Sequence, residues 1–135
     1  MSFELKAHTA DVAVEATGGT LAETFAAVAD GLSAAHCSFF PDGGDRFRMT
    51  VTAESSEALL FDYLDELIYQ RDVRNVLPTG HRVSIDDGDG LTLDASARGV
   101  ALDRVDAREI KAVTYSEMVL EETASGWRAY VVFDV

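Results

Sequence analysis

The side chains of this chain whose types and settings could do chemistry lie near its two ends. His8, Thr9 and Asp11 belong to "HTAD", a short polar break between two stretches that alternate apolar with polar residues, and Asp134 closes "VVFDV" one residue before Val135. Lys111, one of only two lysines, opens "KAVTY". In the final stretch Trp127, Ala129, Val131, Phe133 and Val135 alternate with Arg128, Tyr130, Val132 and Asp134, so both faces carry apolar residues, as expected of a central strand. Asp134 is then expected at a sheet end beside the carboxylate that follows Val135. Two such charges within several ångströms are costly unless a cation compensates. That cation could be Lys111, which "REIKAVTYSEM" places at the mouth of a strand, or a hard divalent metal. Calcium accepts mixed shells of carboxylate, carbonyl and water oxygens. Two readings of "HTAD" stand: a break in the sheet that aims His8, Thr9 and Asp11 at one place, or a turn in which Thr9 or Asp11 bonds its own backbone. Lys111 likewise reads either as part of a site or as an ordinary surface lysine.

Other patterns carry less chemistry. "DDGDG", Asp86 to Gly90, lacks the ligand spacing of a calcium-binding EF-hand loop and reads as a hairpin turn. Asp62, Asp65 and Glu66 fall on the solvated face of an amphipathic segment. His8, His36 and His81 form no zinc motif, and "ATGGT" has neither the lysine of a P-loop nor dinucleotide-binding spacing. There is no GxSxG elbow. The single cysteine, Cys37, has no partner for a bridge and is expected as a small buried apolar residue. No complete enzyme site is legible.

The elements that must position the candidates follow from periodicity. Phe3 to Ala7 and Val12 to Thr17 alternate as strands around the polar break. Thr20 opens a capping box with Glu23, and Leu21, Phe25, Val28 and Leu32 make a helical stripe from Leu21 to about Ala35. Gly31 inside that helix costs on the order of 1 kcal/mol against alanine unless a neighbour packs close. Arg46 to Glu54 alternates again as a half-buried strand. From Ser56 to about Val73, Leu60, Tyr63, Leu64, Leu67 and Ile68 line one face of a second helix. Two alternating runs flank Asp87 to Gly90 as a hairpin, and Ile110 to Leu120 and Trp127 to Val135 supply two more strands. The expected fold is one α+β domain over residues 1–135: a mostly antiparallel sheet of about seven strands, with two helices on one face.

Composition narrows the function classes. With 135 residues and 47% hydrophobic content, the chain can fill one sizeable core. No apolar run reaches the length of a membrane span, and residues 1–4 show no signal-peptide pattern, so a soluble, cytoplasmic protein with no membrane partner is expected. Twenty-four acidic residues against eleven lysines and arginines give a net charge of −13, which argues against tight direct nucleic-acid binding and for a protein or cation partner. Excess carboxylates with few lysines fit a protein kept soluble at high salt, as in a halophilic archaeon.

Taken together, "HTADV", "LLFDYLDELIY", "EIKAVTYSEM" and the closing "WRAYVVFDV" resemble, in this order and over essentially the whole chain, the archeases. The resemblance implies an archease fold containing a strand-helix-strand-strand module and a non-enzymatic accessory protein. Its implied partner is an RtcB-type tRNA-splicing RNA ligase, whose guanylylation and repeated turnover it promotes and whose preference for GTP it relaxes. It further implies calcium as the bound cation, with Asp11, Asp134 and the terminal carboxylate of Val135 as metal ligands, and Lys111 tied to ligase activation with Asp11 and Asp134. His8 and Thr9 would support that site. Archeases usually carry histidine after "KAVTY", where this chain has Ser116. Alternatives are a chaperone or modulator of another RNA-processing enzyme, such as a tRNA methyltransferase, and a small-ligand binding module.

Overall fold

The computed structural model describes residues 2–8 and 11–135; the side chains of residues 6–8 fall outside the description. Among the described residues, nine main elements run in the order β1 (Ser2–His8), β2 (Asp11–Gly18), α1 (Leu21–His36), β3 (Arg46–Ala53), α2 (Ser56–Arg74), β4 (Val76–Asp86), β5 (Leu91–Ala101), β6 (Ala112–Thr123) and β7 (Gly126–Asp134). These are the two helices and seven strands that the periodicity predicts. The strands divide into two sheets, one ordered β1-β2-β7-β6 and one ordered β3-β5-β4, with antiparallel pairing throughout.

The helices lie between these sheets. On one side α1 packs on β1, β2 and β7, and on the other it meets β4; α2 bridges β6 of the first sheet and all three strands of the second. A helix with a sheet on either side must be apolar or small nearly all round. Accordingly α1 buries not only Phe25, Val28 and Leu32 but also Thr24, Ala26, Ala27, Ala29, Gly31, Ser33 and Ala35. Gly31 is where the approach is closest. A Cβ there would stand 2.5 Å from Cγ1 of Val14 on β2, so the lost helix propensity is offset by a tighter helix-sheet contact.

Each helix is bounded as its sequence suggests. Thr20 Oγ1 accepts from the Glu23 amide at 3.1 Å, Ser55 Oγ accepts from the Ala58 amide at 3.1 Å, and Asn75 ends α2 in the left-handed conformation at φ 58°. Cys37 follows α1 half-buried, its thiol donating to the Phe39 carbonyl at 2.9 Å, rather than buried in the core. The reason is its place just past the helix end, where the chain leaves the core and the Phe39 carbonyl of the loop is open to a donor.

Two irregularities break the expected strands. In β4 the pairing shifts between Thr79 and Arg82 around Gly80, whose φ of +61° suits glycine. In β6 the register passes from Thr114 opposite Val132 to Val119 opposite Tyr130, so five residue steps of β6 match two of β7. The bulge carries Glu117 at φ 60° and turns Tyr115 outward, where its ring stacks on Phe61 of α2 at 4.1 Å between centroids. Side-chain alternation alone predicts a straight strand from Ile110 and cannot show the extra residues.

Candidate functional site

Register brings the two candidate aspartates together. β7 is the central strand, paired with β2 on one side and β6 on the other. Asp11, the first residue of β2, sits directly opposite Asp134, the last residue of β7, and Ala112, the first residue of β6, faces Asp134 from the other side. Three strands therefore begin or end on one line. Val12, Val14, Ala129, Val131 and Phe133 belong to the core that contains the helices. Asp11 and Asp134 alternate with them and so share the opposite, outer face of the sheet.

Their environments differ in exposure: Asp11 is half-buried and Asp134 is exposed. Directly opposite residues in an antiparallel pair have Cβ atoms roughly 5 Å apart, a separation at which like charges destabilise the pair. Further along the same face the charges are matched: Arg128 donates to Glu15 at 2.7 Å and to Glu121 at 3.1 Å. The register brings two carboxylates together at the sheet end, and in the middle of the same face Arg128 joins two more.

Lys111 is held at the same end by its backbone. Its amide donates to the Asp134 carbonyl at 2.8 Å, extending the β6–β7 ladder by one bond. Ile110, just before it, is fully buried, and the Ile110 carbonyl accepts from Arg71 Nη1 of α2 at 2.5 Å. Lys111 is thus an exposed residue between a core anchor and the first residue of β6. Among the described residues its ammonium makes no ion pair, so the structure brings Lys111 beside the aspartates without closing a salt bridge to either. Arg71, which periodicity places simply on a helix, is buried and fixes this segment. Nothing in the local sequence distinguishes it, since its partner is a backbone carbonyl 39 residues away.

The remaining candidates fall as follows. Thr9 and the side chain of His8 lie outside the described residues; the His8 backbone pairs with Asp11 in the β1–β2 ladder. Val135 is half-buried and packs against the core. Ser116 is exposed in the β6 bulge. Among the described residues no group of three His, Cys, Asp or Glu side chains is placed to hold a metal. Asp11 and Asp134 supply two hard oxygen donors, a set that suits calcium or magnesium rather than zinc. Among the described residues, further ligands would be main-chain or terminal oxygens, with water or a group from a partner completing the shell.

The two other histidines serve the scaffold. His36 Nδ1 meets the Arg108 carbonyl at 3.0 Å, and burial holds its pKa below the usual imidazole value. His81 sits at the β4 bulge with Nε2 2.7 Å from Ser33 Oγ, which also reaches the Pro78 carbonyl at 2.7 Å. A serine has one proton, so the consistent arrangement has His81 Nε2–H donating to Ser33 and Ser33 donating to Pro78. Nδ1 is then an enclosed lone pair without a partner among the described residues, and desolvation pushes the His81 pKa down to about 3. Neither ring is placed to ligate a metal with the aspartates.

The family model described as the archease protein family (MTH1598/TM1083) matches residues 3–135. The chain is 34% identical to a protein named "Protein archease" from Methanosarcina acetivorans, over 98% of this chain and 95% of that one. It is 36% identical to "Protein archease" from Thermococcus gammatolerans, over 95% and 94%. The solution structure of Methanobacterium thermoautotrophicum protein 1598 superposes with a TM-score of 0.86 at 30% identity, covering 99% of each chain. A Thermotoga maritima archease described as a "possible chaperone" shares the fold, with a TM-score of 0.66 at 21% identity, covering 98% of this chain and 96% of that one.

Proposed function

The chain belongs to the archease family, and on that premise we propose that it is a non-enzymatic activator of an RtcB-type tRNA-splicing RNA ligase, acting through the sheet end that carries Asp11, Lys111 and Asp134. The observation that carries this reading is the register: three residues separated by up to 123 positions in sequence meet at one strand end, with Asp11 opposite Asp134 and Lys111 bonded to the Asp134 backbone. Such an end is small, polar and exposed at Lys111 and Asp134. It suits insertion beside a partner's nucleotide or metal site better than turnover of a substrate of its own.

In this reading Asp11 and Asp134 hold a divalent cation, calcium by preference, and the terminal carboxylate after Val135 is the third protein donor. A bound cation would supply charge neutralisation at the sheet end. The chain's own residues do the rest. β7 fixes the spacing of the two carboxylates, and the Arg71–Ile110 bond with the buried Ile110 side chain fixes where Lys111 leaves the core. Activation then requires that this end bind more tightly to the guanylylation-competent ligase conformer than to its alternatives. The same reading includes relaxed nucleotide preference by the ligase and a cytoplasmic setting, supported by the family relationship.

Single-turnover guanylylation of the cognate ligase tests it. Wild-type protein should accelerate the step, and Asp11→Ala, Lys111→Ala and Asp134→Ala should each remove most of the acceleration while leaving circular dichroism unchanged. Equal acceleration by all three variants would overturn the assignment. A second reading, assistance to the folding or solubility of another RNA-processing enzyme, takes its support from the description of the Thermotoga maritima relative. It predicts suppressed aggregation of that enzyme with no change in ligase rate.

A further inference from the structure

The second sheet carries a feature that the acidic composition hides. On the outward face of β3, β5 and β4 the register lays side chains in rows: Arg46 and Arg98 with Thr79, then Arg48, Ser96 and Arg82, then Thr50, Asp94 and Ser84, then Thr52, Thr92 and Asp86. Four of the nine arginines thus stand in two adjacent rows, in a chain where acids outnumber bases by more than two to one. Against Asp94 and Asp86 the face has a local balance of 4 − 2 = +2, while the whole chain carries −13. Among the described residues none of these four arginines makes an ion pair with a carboxylate. Arg46 instead donates to Ser96 at 3.0 Å and Arg98 to the Pro41 carbonyl at 2.8 Å, and the Asp94 carboxylate is engaged by Thr50 at 2.8 Å. Arg48 and Arg82 are exposed and make no hydrogen bond with a described residue. They flank a groove of about 590 Å³ whose floor is β5 and whose polar lining includes Thr50, Ser84, Asp94 and Ser96.

We propose that this arginine-serine face of the β3-β5-β4 sheet is a sequence-independent binding site for the phosphate backbone of RNA. Arginine forks with serine and threonine hydroxyls are the donors that phosphate oxygens accept from, and guanidinium pairs them bidentately. Successive rows on one face are two residues apart, roughly 6.7 Å, and Arg48 and Arg82 are two strand spacings apart, roughly 9.6 Å. That grid can meet several phosphates of one strand at once. Among the described residues, the outward rows hold no aromatic or large apolar side chain, which excludes base stacking and with it the platform that reads unpaired bases. The same absence disfavours a protein partner, whose contact would need an apolar or aromatic centre. The acidic remainder of the chain repels RNA elsewhere, which restricts binding to this face and keeps it weak and salt-dependent. The inference does not depend on the ligase reading, because it concerns the sheet that carries neither Asp11 nor Asp134.

Fluorescence anisotropy with a labelled 12-nucleotide oligouridylate, titrated with the full chain at a series of potassium chloride concentrations, tests the proposal. Wild type should bind with a log–log salt slope near −2.8 if four phosphates are contacted, at about −0.7 per phosphate. The Arg48→Ser/Arg82→Ser pair should weaken binding at least tenfold at low salt and flatten the slope to about −1.4. Arg48→Lys/Arg82→Lys, which keeps the charge but not the fork, should fall between. Both pairs replace exposed residues, and circular dichroism with thermal melting verifies that each is folded. Absence of oligouridylate binding by wild type, an unchanged affinity in the serine pair, or equal binding of a labelled polyglutamate of the same charge would each overturn it.

Discussion

Replacing Asp134 with asparagine separates the two roles that the sheet end imposes on one carboxylate. In the cation-free protein Asp134 and Asp11 face one another across the β2–β7 ladder with no intervening residue. Two charges about 5 Å apart repel by about 3 kcal/mol at an effective dielectric of 20 and by about 0.8 kcal/mol in water. Because Asp134 is exposed, the effective value lies toward the lower end, about 1 kcal/mol at low ionic strength. Asp134→Asn should therefore raise the melting temperature in chelator by roughly 4 °C for a domain of this size. Salt at 1 M, where the Debye length is about 3 Å, should abolish that gain. Calcium should have the opposite selectivity. At a hundredfold excess over Kd it stabilises wild type by about 2.7 kcal/mol, roughly 10 °C, and the asparagine variant by far less. Differential scanning calorimetry with chelator or calcium, at 0.1 M and 1 M potassium chloride, reads all four conditions. A wild type indifferent to calcium, or a variant that keeps the full calcium shift, would refute the reasoning.

Three further outcomes follow from the packing. Gly31→Ala places a methyl group 2.5 Å from Val14 Cγ1, so urea unfolding should show a loss of about 1–3 kcal/mol despite alanine's better helix propensity. Arg71→Leu leaves the buried Ile110 carbonyl without its donor and should cost about 1–3 kcal/mol, with ligase activation reduced to a similar extent as in Lys111→Ala if the segment's position matters. The His81 pKa of about 3 lies below its ordinary 6.5, so between these values the unfolded state binds more protons and stability falls as pH drops. That contribution is complete above pH 6.5 and is lost at up to about 1.4 kcal/mol per pH unit on acidification. His36 acts in the same direction, and Asp30, whose carboxyl is raised by desolvation, in the other. The difference between wild type and His81→Gln across pH 4 to 6 isolates His81.

Much of this was readable in the chain, for reasons that particular residues make plain. The capping box at Thr20, the apolar stripe from Ser56 and the alternation in Arg46 to Glu54 reflect local physics, and the elements lie where those patterns put them. Apolar residues on both faces of Trp127 to Val135 identify β7 as central, which in turn places Asp134 at a sheet end. Pairing across the chain is another matter. That α1 lies between two sheets follows from its many small residues only once β4 is seen on its far side. The β6 bulge is hidden because alternation does not count residues on the opposite strand. Arg71 is informative only beside Ile110, and Arg48 only beside Arg82 two strands away. The family resemblance named Asp11, Lys111 and Asp134 together, and the register gives the physical reason that they meet.

Multiple-turnover RNA ligation by the cognate ligase tests the central claim most directly, measured alone and with wild-type, Asp11→Ala, Lys111→Ala or Asp134→Ala protein in multimolar potassium chloride. Wild type should convert a ligase limited to about one turnover into one that cycles, and none of the three variants should do so. Full cycling with all three variants, or no effect of wild type, would contradict it.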